Sequence, residues 1–172
     1  MSTKSTIKYE PATGNKRIEQ SITREINASP DKIFPLACPV EELRWIPEWD
    51  YRLVYSKSGV NETNCIFTEE KSGPHFFGKP MTTTWVTNIH DSRQKRILFQ
   101  IMLAEKAIIR FRFDFREVGP DTSSCTWQMV FTAMDEEANQ MDDEDIRTKL
   151  ELLMTFLAEA LKYYCENGKM IG

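Results

Sequence analysis

The chain has 172 residues, of which 41% are hydrophobic and 28% charged, a composition typical of one globular domain rather than a disordered segment. Its net charge of −4 offers no basic surface, so we expect no nucleic-acid partner. No apolar run reaches the roughly 18 residues of a membrane span. Residues 1–15 also lack the hydrophobic segment of a signal peptide, so we expect no stable membrane insertion and a cytoplasmic location.

The first predicted element is a strand over residues 17–27. Residues 1–15, which precede it, show no periodicity and are expected to be a flexible leader before a single domain at residues 16–171. From residue 17 apolar and polar side chains alternate, which indicates a half-buried strand. Its inner face carries Ile18, Gln20, Ile22, Arg24 and Ile26.

Two short helices are predicted after this strand. Ser29 and Cys38 each precede a proline, and proline at the first position of a helix is well tolerated because that N–H has no partner in the helix. Pro35 and Pro47 then end each helix after little more than a turn.

From Tyr51 onward the hydrophobic period is two for about 80 residues, which predicts a run of strands. Glycine, proline, aspartate and serine mark short turns between them, so we expect antiparallel neighbours. The clearest strand alternates Ile109, Phe111, Phe113 and Phe115 with charged residues. The six candidate strands cover residues 51–56, 64–69, 81–90, 96–103, 107–118 and 124–134.

The C-terminal residues 142–168 predict one long amphipathic helix. Aspartates and Glu144 suit its N-terminus, and Asn167-Gly168 suits a left-handed stop. One apolar stripe comprises Ile146, Leu150, Leu153, Leu157, Ala160, Leu161 and Tyr164. A second row, Leu152, Phe156 and Tyr163, is expected to contact a second neighbour, with Arg147, Glu151, Thr155, Ala158, Lys162 and Cys165 on the opposite side.

The element order is strand, two short helices, six strands and one long helix. Two short helices cannot bury the apolar face of seven strands, so the sheet must curve around the long helix. The sequence therefore predicts an α+β helix-grip fold, with a seven-stranded curved antiparallel sheet wrapped around the C-terminal helix.

Residues 28–35 and 38–51 resemble the corresponding segments of the START-like (SRPBCC) superfamily, which contains polyketide cyclases, plant pollen allergens and lipid-transfer domains. Residues 56–60 and 84–87 are similar to blocks in bacterial proteins of this group that have no assigned activity. The similarity covers residues 16–171 and is specific for the fold, because one such scaffold hosts unrelated functions.

The resemblance implies a small hydrophobic ligand, such as a lipid, an isoprenoid or a polyketide-like ring, held between the sheet and the C-terminal helix. The expected lining residues are aromatic or flexible and apolar, and each of them also suits plain core packing. They are Trp45, Trp49, Trp85, Phe99, Phe111, Phe113, Met129, Phe131, Met154, Leu157 and Leu161.

Catalytic side chains are not evident from the sequence, and we expect no catalytic residue, metal or cofactor. Gln20 and Arg24 are expected to reach water at the strand surface, and His75 and His90 to lie in exposed loops. Glu48 and Asp50 beside Trp49 are expected to be solvated rather than a pair at a pocket mouth. The cysteines Cys38, Cys65, Cys125 and Cys165 have no metal spacing and are expected to be reduced thiols.

Three functions stay open at this point. A non-catalytic hydrophobic binder is the leading one, and an enzyme resembling polyketide cyclases or dehydratases would need a buried acid or base. A protein-interaction module resembling co-chaperones would have a fully packed interior and a protein partner. The segment His75, Phe76 and Phe77 lies between glycine and proline, and we hypothesise that it forms a flap over the cavity, the alternative being burial against the short helices.

Overall fold

A computed structural model of the chain describes residues 14–70 and 76–172. After strand β1 (Arg17–Ile26) come helix α1 (Pro30–Ile33), a 3-10 turn (Phe34–Leu36) and helix α2 (Pro39–Glu42). The next strands are β2 (Tyr51–Tyr55), β3 (Ile66–Glu69), β4 (Thr83–Asp91), β5 (Arg96–Leu103), β6 (Ala107–Gly119) and β7 (Thr122–Ala133). Helices α3 (Glu136–Gln140) and α4 (Asp143–Asn167) complete the chain.

The strands form one seven-stranded antiparallel sheet in the order β1-β7-β6-β5-β4-β3-β2. Every pair of neighbouring strands except β1 and β7 is also consecutive in the sequence, because short turns favour hairpins. β1 instead pairs with β7, the last strand, with Ile22 opposite Trp127. The prediction of an α+β helix-grip fold with two short helices after the first strand is confirmed.

Three register shifts bend the sheet. They lie between Leu53 and Tyr55 in β2, between Thr87 and Ile89 in β4, and between Glu117 and Gly119 in β6. An extra residue in one strand increases its twist and bends it. The bends help one face of the sheet to become a concave surface, and the buried aromatic residues of β3 to β7 lie on that face.

The ends of α4 match the sequence prediction. The Asp142 carboxylate accepts hydrogen bonds from the backbone N–H groups of Glu144 and Asp145, each at 3.0 Å. At the other end Gly168 adopts a φ of 70° and donates its N–H to the Tyr164 carbonyl. Glycine is favoured at this position because a side chain is strained in the left-handed region.

The burial of α4 departs from the predicted faces. Met154 and Ala158 are fully buried, although Ala158 was expected opposite the apolar stripe, and Leu152 and Phe156 are 63% and 44% exposed. The reason is that α4 lies along β1, where Arg24 Nε contacts Glu159 at 3.1 Å. The second apolar row therefore faces solvent at Leu152 and Phe156 instead of a second neighbour.

The remaining differences are local. Helix α3 was not predicted, since it has only five residues, and its N-terminus is capped by Asp135, which accepts from the Ala138 N–H at 2.8 Å. Ser29 precedes α1 as expected but its side chain caps nothing. Within the described ranges, no helix combines the length and apolar character that a membrane span requires.

Candidate functional site

A cavity lies between the concave face of the sheet, the α2 segment and α4. The cavity volume is about 60 Å³. One water position takes up roughly 10–15 Å³ of such a volume, so the space holds a few waters or a small organic group. Its wall is formed by Ala37, Glu42, Trp45, Ile46, Trp49, Glu69, Phe76, Thr83, Trp85, Ile101, Leu103, Ile109, Phe111, Phe113, Phe115, Trp127, Leu153, Leu157 and Leu161.

The α2 segment presents one helical face to this cavity. Glu42, Trp45, Ile46 and Trp49 are spaced at i, i+3, i+4 and i+7, and all four line the wall. Helical hydrogen bonds continue beyond α2, with the Ile46 N–H donating to the Glu42 carbonyl at 2.8 Å. The acid is therefore brought into the cavity wall by the same periodicity that places the two tryptophans there.

Glu42 is a carboxyl group inside an apolar wall, with only 9% of its surface exposed. Burial raises its pKa to about 8, and the charge of the neighbouring Glu69 adds to the rise. Within the described ranges, no hydrogen-bond donor or basic side chain pairs with the Glu42 carboxyl. Near neutral pH this side chain is mostly protonated and able to donate a proton.

Glu69 is the second buried acid of the wall. It ends β3 on the same face as Phe67, because side chains two apart in a strand point to the same side. Its carboxylate accepts hydrogen bonds from Trp85 Nε1 at 3.1 Å and from Thr83 Oγ1 at 3.3 Å. These donors from β4 hold Glu69 in one orientation beside Glu42.

The indole N–H groups near the two acids are already bonded to the protein. Trp45 donates to the Leu36 carbonyl at 3.0 Å, and Trp49 donates to the Pro39 carbonyl at 2.8 Å. Trp85 donates to Glu69, as described above, so these three rings offer a ligand carbon surface. Trp127 on β7 differs, because the described part of the chain gives its N–H no acceptor.

No protein-family model matches the chain, and no curated protein is significantly similar to it. Solved structures do match. A START superfamily protein from Mycobacterium smegmatis has 15% identity and a TM-score of 0.65, covering 86% of this chain and 97% of that one. The Zhui aromatase/cyclase from Streptomyces sp. R1128 has 10% identity and a TM-score of 0.68, covering 88% and 94%.

The chain has a START-like fold. Norcoclaurine synthase from Thalictrum flavum, in complex with dopamine and hydroxybenzaldehyde, shares it with 12% identity and a TM-score of 0.65, covering 98% of this chain and 99% of that one. At such identities the likeness shows the START-like fold alone, because one scaffold carries unrelated activities.

Seven of the eleven side chains expected to line the START-like cavity do so in the structure. They are Trp45, Trp49, Trp85, Phe111, Phe113, Leu157 and Leu161. Phe99, Met129, Phe131 and Met154 are buried outside the wall. Phe99 packs edge-on against Phe67, Trp85 and Phe113, and Phe131 stacks on Phe76 at 5.9 Å, so both serve the core around the cavity.

The polar candidates from the sequence lie elsewhere. Gln20 and Arg24 reach carboxylates at the surface of α4, Glu151 and Glu159, rather than the cavity. His90 is half-buried instead of exposed, because its ring packs 4.7 Å from that of Phe34, and burial lowers its pKa. His75 lies outside the described residues.

The acidic residues of the cavity are not Glu48 and Asp50, which were expected to be solvated. Glu48 is exposed, and neither it nor Asp50 lines the wall, whereas Glu42 and Glu69 do. The signal for Glu42 was its helical spacing from Trp45 and Trp49, and the signal for Glu69 was its alternation with Phe67. In the described ranges no group of three or more acidic, histidine or cysteine side chains could hold a metal ion.

Proposed function

We propose that the chain binds a small hydrophobic molecule, such as a lipid, an isoprenoid or a polyketide-like ring, in the cavity between the sheet and α4. The observation that carries the proposal is a mostly apolar, aromatic-rich space lined from both sides, by β6 and by Leu157 and Leu161 of α4. Ligand sites in proteins are typically apolar clefts with a few placed polar groups, and Glu42 and Glu69 are such groups.

The cavity volume limits what can enter without movement. Ligand pockets usually measure about 300–1,000 Å³, several times the space present. A fused-ring or lipid ligand therefore requires side chains of the wall to move apart. Phe76 lines the cavity, is 7% exposed and stacks on Phe131, so opening would require it to leave this packed position. That its segment, with Phe77, opens as a flap stays a hypothesis beside the alternative that it is part of the core.

Filling the cavity tests this proposal. In Leu157→Trp a larger side chain occupies the wall of α4, so the affinity for an environment-sensitive fluorescent fatty acid should fall at least tenfold. The matched control is Leu152→Trp, since Leu152 lies on the same helix and is 63% exposed. Fluorescence titration of the two variants and the parent checks the prediction. Equal affinity in all three would place the ligand elsewhere and contradict it.

An enzyme is the second candidate, favoured by Glu42. A cyclase or dehydratase acting on an enclosed ligand needs a buried group that gives or takes a proton near neutral pH. A carboxyl whose pKa is raised to about 8 meets that need. The Zhui protein is described as an aromatase/cyclase, which makes polyketide-like substrates the first to try. Product formation that is lost in Glu42→Gln would decide for this candidate over a passive binder.

The third candidate, a protein-interaction module, gains no support from the interior. The interior of such a module was expected to contain no cavity larger than one water molecule. The cavity of about 60 Å³ is several times larger than that.

A further inference from the structure

We propose that Glu42 and the tryptophans beside it bind the cationic ammonium group of an otherwise apolar ligand. The inference rests on the proposed function, since it assigns the polar end of a ligand held in the same cavity. It adds a charge and a chemical class to that ligand.

The first argument is the lack of a protein partner for Glu42. Buried polar side chains nearly always have a hydrogen-bond partner, and an exception calls for an explanation. Glu42 is 91% buried and lines the cavity, yet within residues 14–70 and 76–172 nothing donates to its carboxyl. A ligand donor explains why such a costly group is kept at this position.

The second argument is the chemistry of the surrounding side chains. Trp45, Trp49 and Trp85 line the cavity with their N–H groups bonded to protein acceptors, so what they offer a ligand is ring surface. Trp49 also stacks on Tyr51 and Trp85 on Phe67. The face of a tryptophan attracts a cation, and quaternary ammonium groups are recognised by aromatic cages. Three tryptophans next to a carboxyl therefore suit an ammonium group better than a carbonyl oxygen.

The third argument is charge. Among the described residues, the titratable groups coupled to Glu42 are both acidic: Glu69 from β3 and Tyr51 from β2. Glu41 points away to Arg44, whose side chain is 59% exposed. Two carboxyl groups in one apolar site oppose each other's ionisation, and a bound cation offsets that repulsion. Size agrees, because about 60 Å³ corresponds to roughly four to six water positions, enough for a small ammonium group.

The test compares two probes of the same shape on the full chain. Benzyltrimethylammonium carries a permanent positive charge, and neopentylbenzene has carbon in place of the nitrogen. Calorimetric titration should show at least tenfold tighter binding of the cation at pH 8. The cation also requires Glu42 to lose its proton, so its affinity should rise by up to tenfold per pH unit between pH 6 and 8 and then level off. The neutral probe should show no such dependence.

Two variants complete the test. Glu42→Gln should reduce cation affinity at least tenfold more than neopentylbenzene affinity and abolish the pH dependence of cation binding, whereas Glu41→Gln should behave as the parent. Equal affinity for the two probes, or an unchanged pH profile in Glu42→Gln, would overturn the cation inference and leave the hydrophobic site intact. If the parent binds neither these probes nor the fluorescent fatty acid, the proposed function itself fails.

Discussion

Asn61 connects three segments of the chain around the cavity. Its side-chain N–H donates to the Ala37 carbonyl at 2.9 Å, its oxygen accepts from Thr87 Oγ1 at 2.7 Å, and its backbone N–H donates to Cys38 Sγ at 3.2 Å. Asn61 is 5% exposed and Thr87 is fully buried. The polar cluster therefore ties the α2 segment, which carries Glu42, to β4 of the sheet.

Replacing Asn61 with alanine should destabilise the protein by about 3 kcal/mol, because a buried carbonyl and a buried hydroxyl each lose a partner. Urea unfolding followed by tryptophan fluorescence measures the change. Asn88→Ala on the exposed side of β4 is the control and should cost less than about 0.5 kcal/mol. If Asn61→Ala lowered the free energy of unfolding as little as Asn88→Ala, the Asn61 cluster would not hold the α2 segment against β4.

At the scale of elements, α4 divides its side chains among three surroundings. Ile146, Leu150, Met154 and Ala158 follow one another every four residues and are fully buried against the sheet. Leu153, Leu157 and Leu161 line the cavity. Leu152 and Phe156 face solvent, so the helix serves both as a core element and as one wall of the site.

This division predicts opposite outcomes for two apolar residues of α4. Met154→Ala should cost about 2–5 kcal/mol through lost burial and a new cavity, while Leu152→Ala should change stability by less than about 0.5 kcal/mol. Alanine preserves helix propensity in both, so the difference reports packing. Thermal unfolding monitored by circular dichroism would reveal it. If Leu152→Ala lowered stability as much as Met154→Ala, Leu152 would be buried against a second neighbour, as the sequence predicted.

At the scale of the whole molecule, one buried acid links folding to pH. The pKa of Glu42 rises from its usual 4.5 to about 8 on folding, so between these pH values the folded protein holds a proton that the unfolded chain releases. The contribution of protonated Glu42 to the free energy of unfolding is therefore complete below pH 4.5, is lost progressively as pH rises from 4.5, and is gone once pH has passed through 8. The slope is at most about 1.4 kcal/mol per pH unit for one group.

Glu42→Gln should remove this part of the pH dependence, because glutamine is neutral throughout and similar in shape to the protonated acid. We expect the variant and the parent to have similar free energies of unfolding at pH 5 and the variant to be more stable at pH 8. Urea titrations at each pH unit from 5 to 9 test this, with exposed Glu48→Gln as the control. Curves for Glu42→Gln and the parent that stay parallel would show that Glu42 ionises freely in the folded protein.

The sequence by itself determined the elements and their assembly. Alternation in residues such as Ile109 to Phe115 and the caps Asp142 and Gly168 are local signals, because side-chain periodicity and backbone preferences act within a few residues. With seven strands and one long helix, burial of the apolar faces left few arrangements, so the helix-grip fold followed.

Only the tertiary structure decided which of these residues meet. The position of α4 along β1 exposed Leu152 and buried Ala158, a choice that the helical period leaves open. Glu42 and Glu69 are 27 positions apart and belong to a short helix and a short strand, so their meeting depends on the curvature of the sheet. A packed core and a lined cavity use the same aromatic residues, and the difference between them is a few ångströms of spacing that no local pattern encodes.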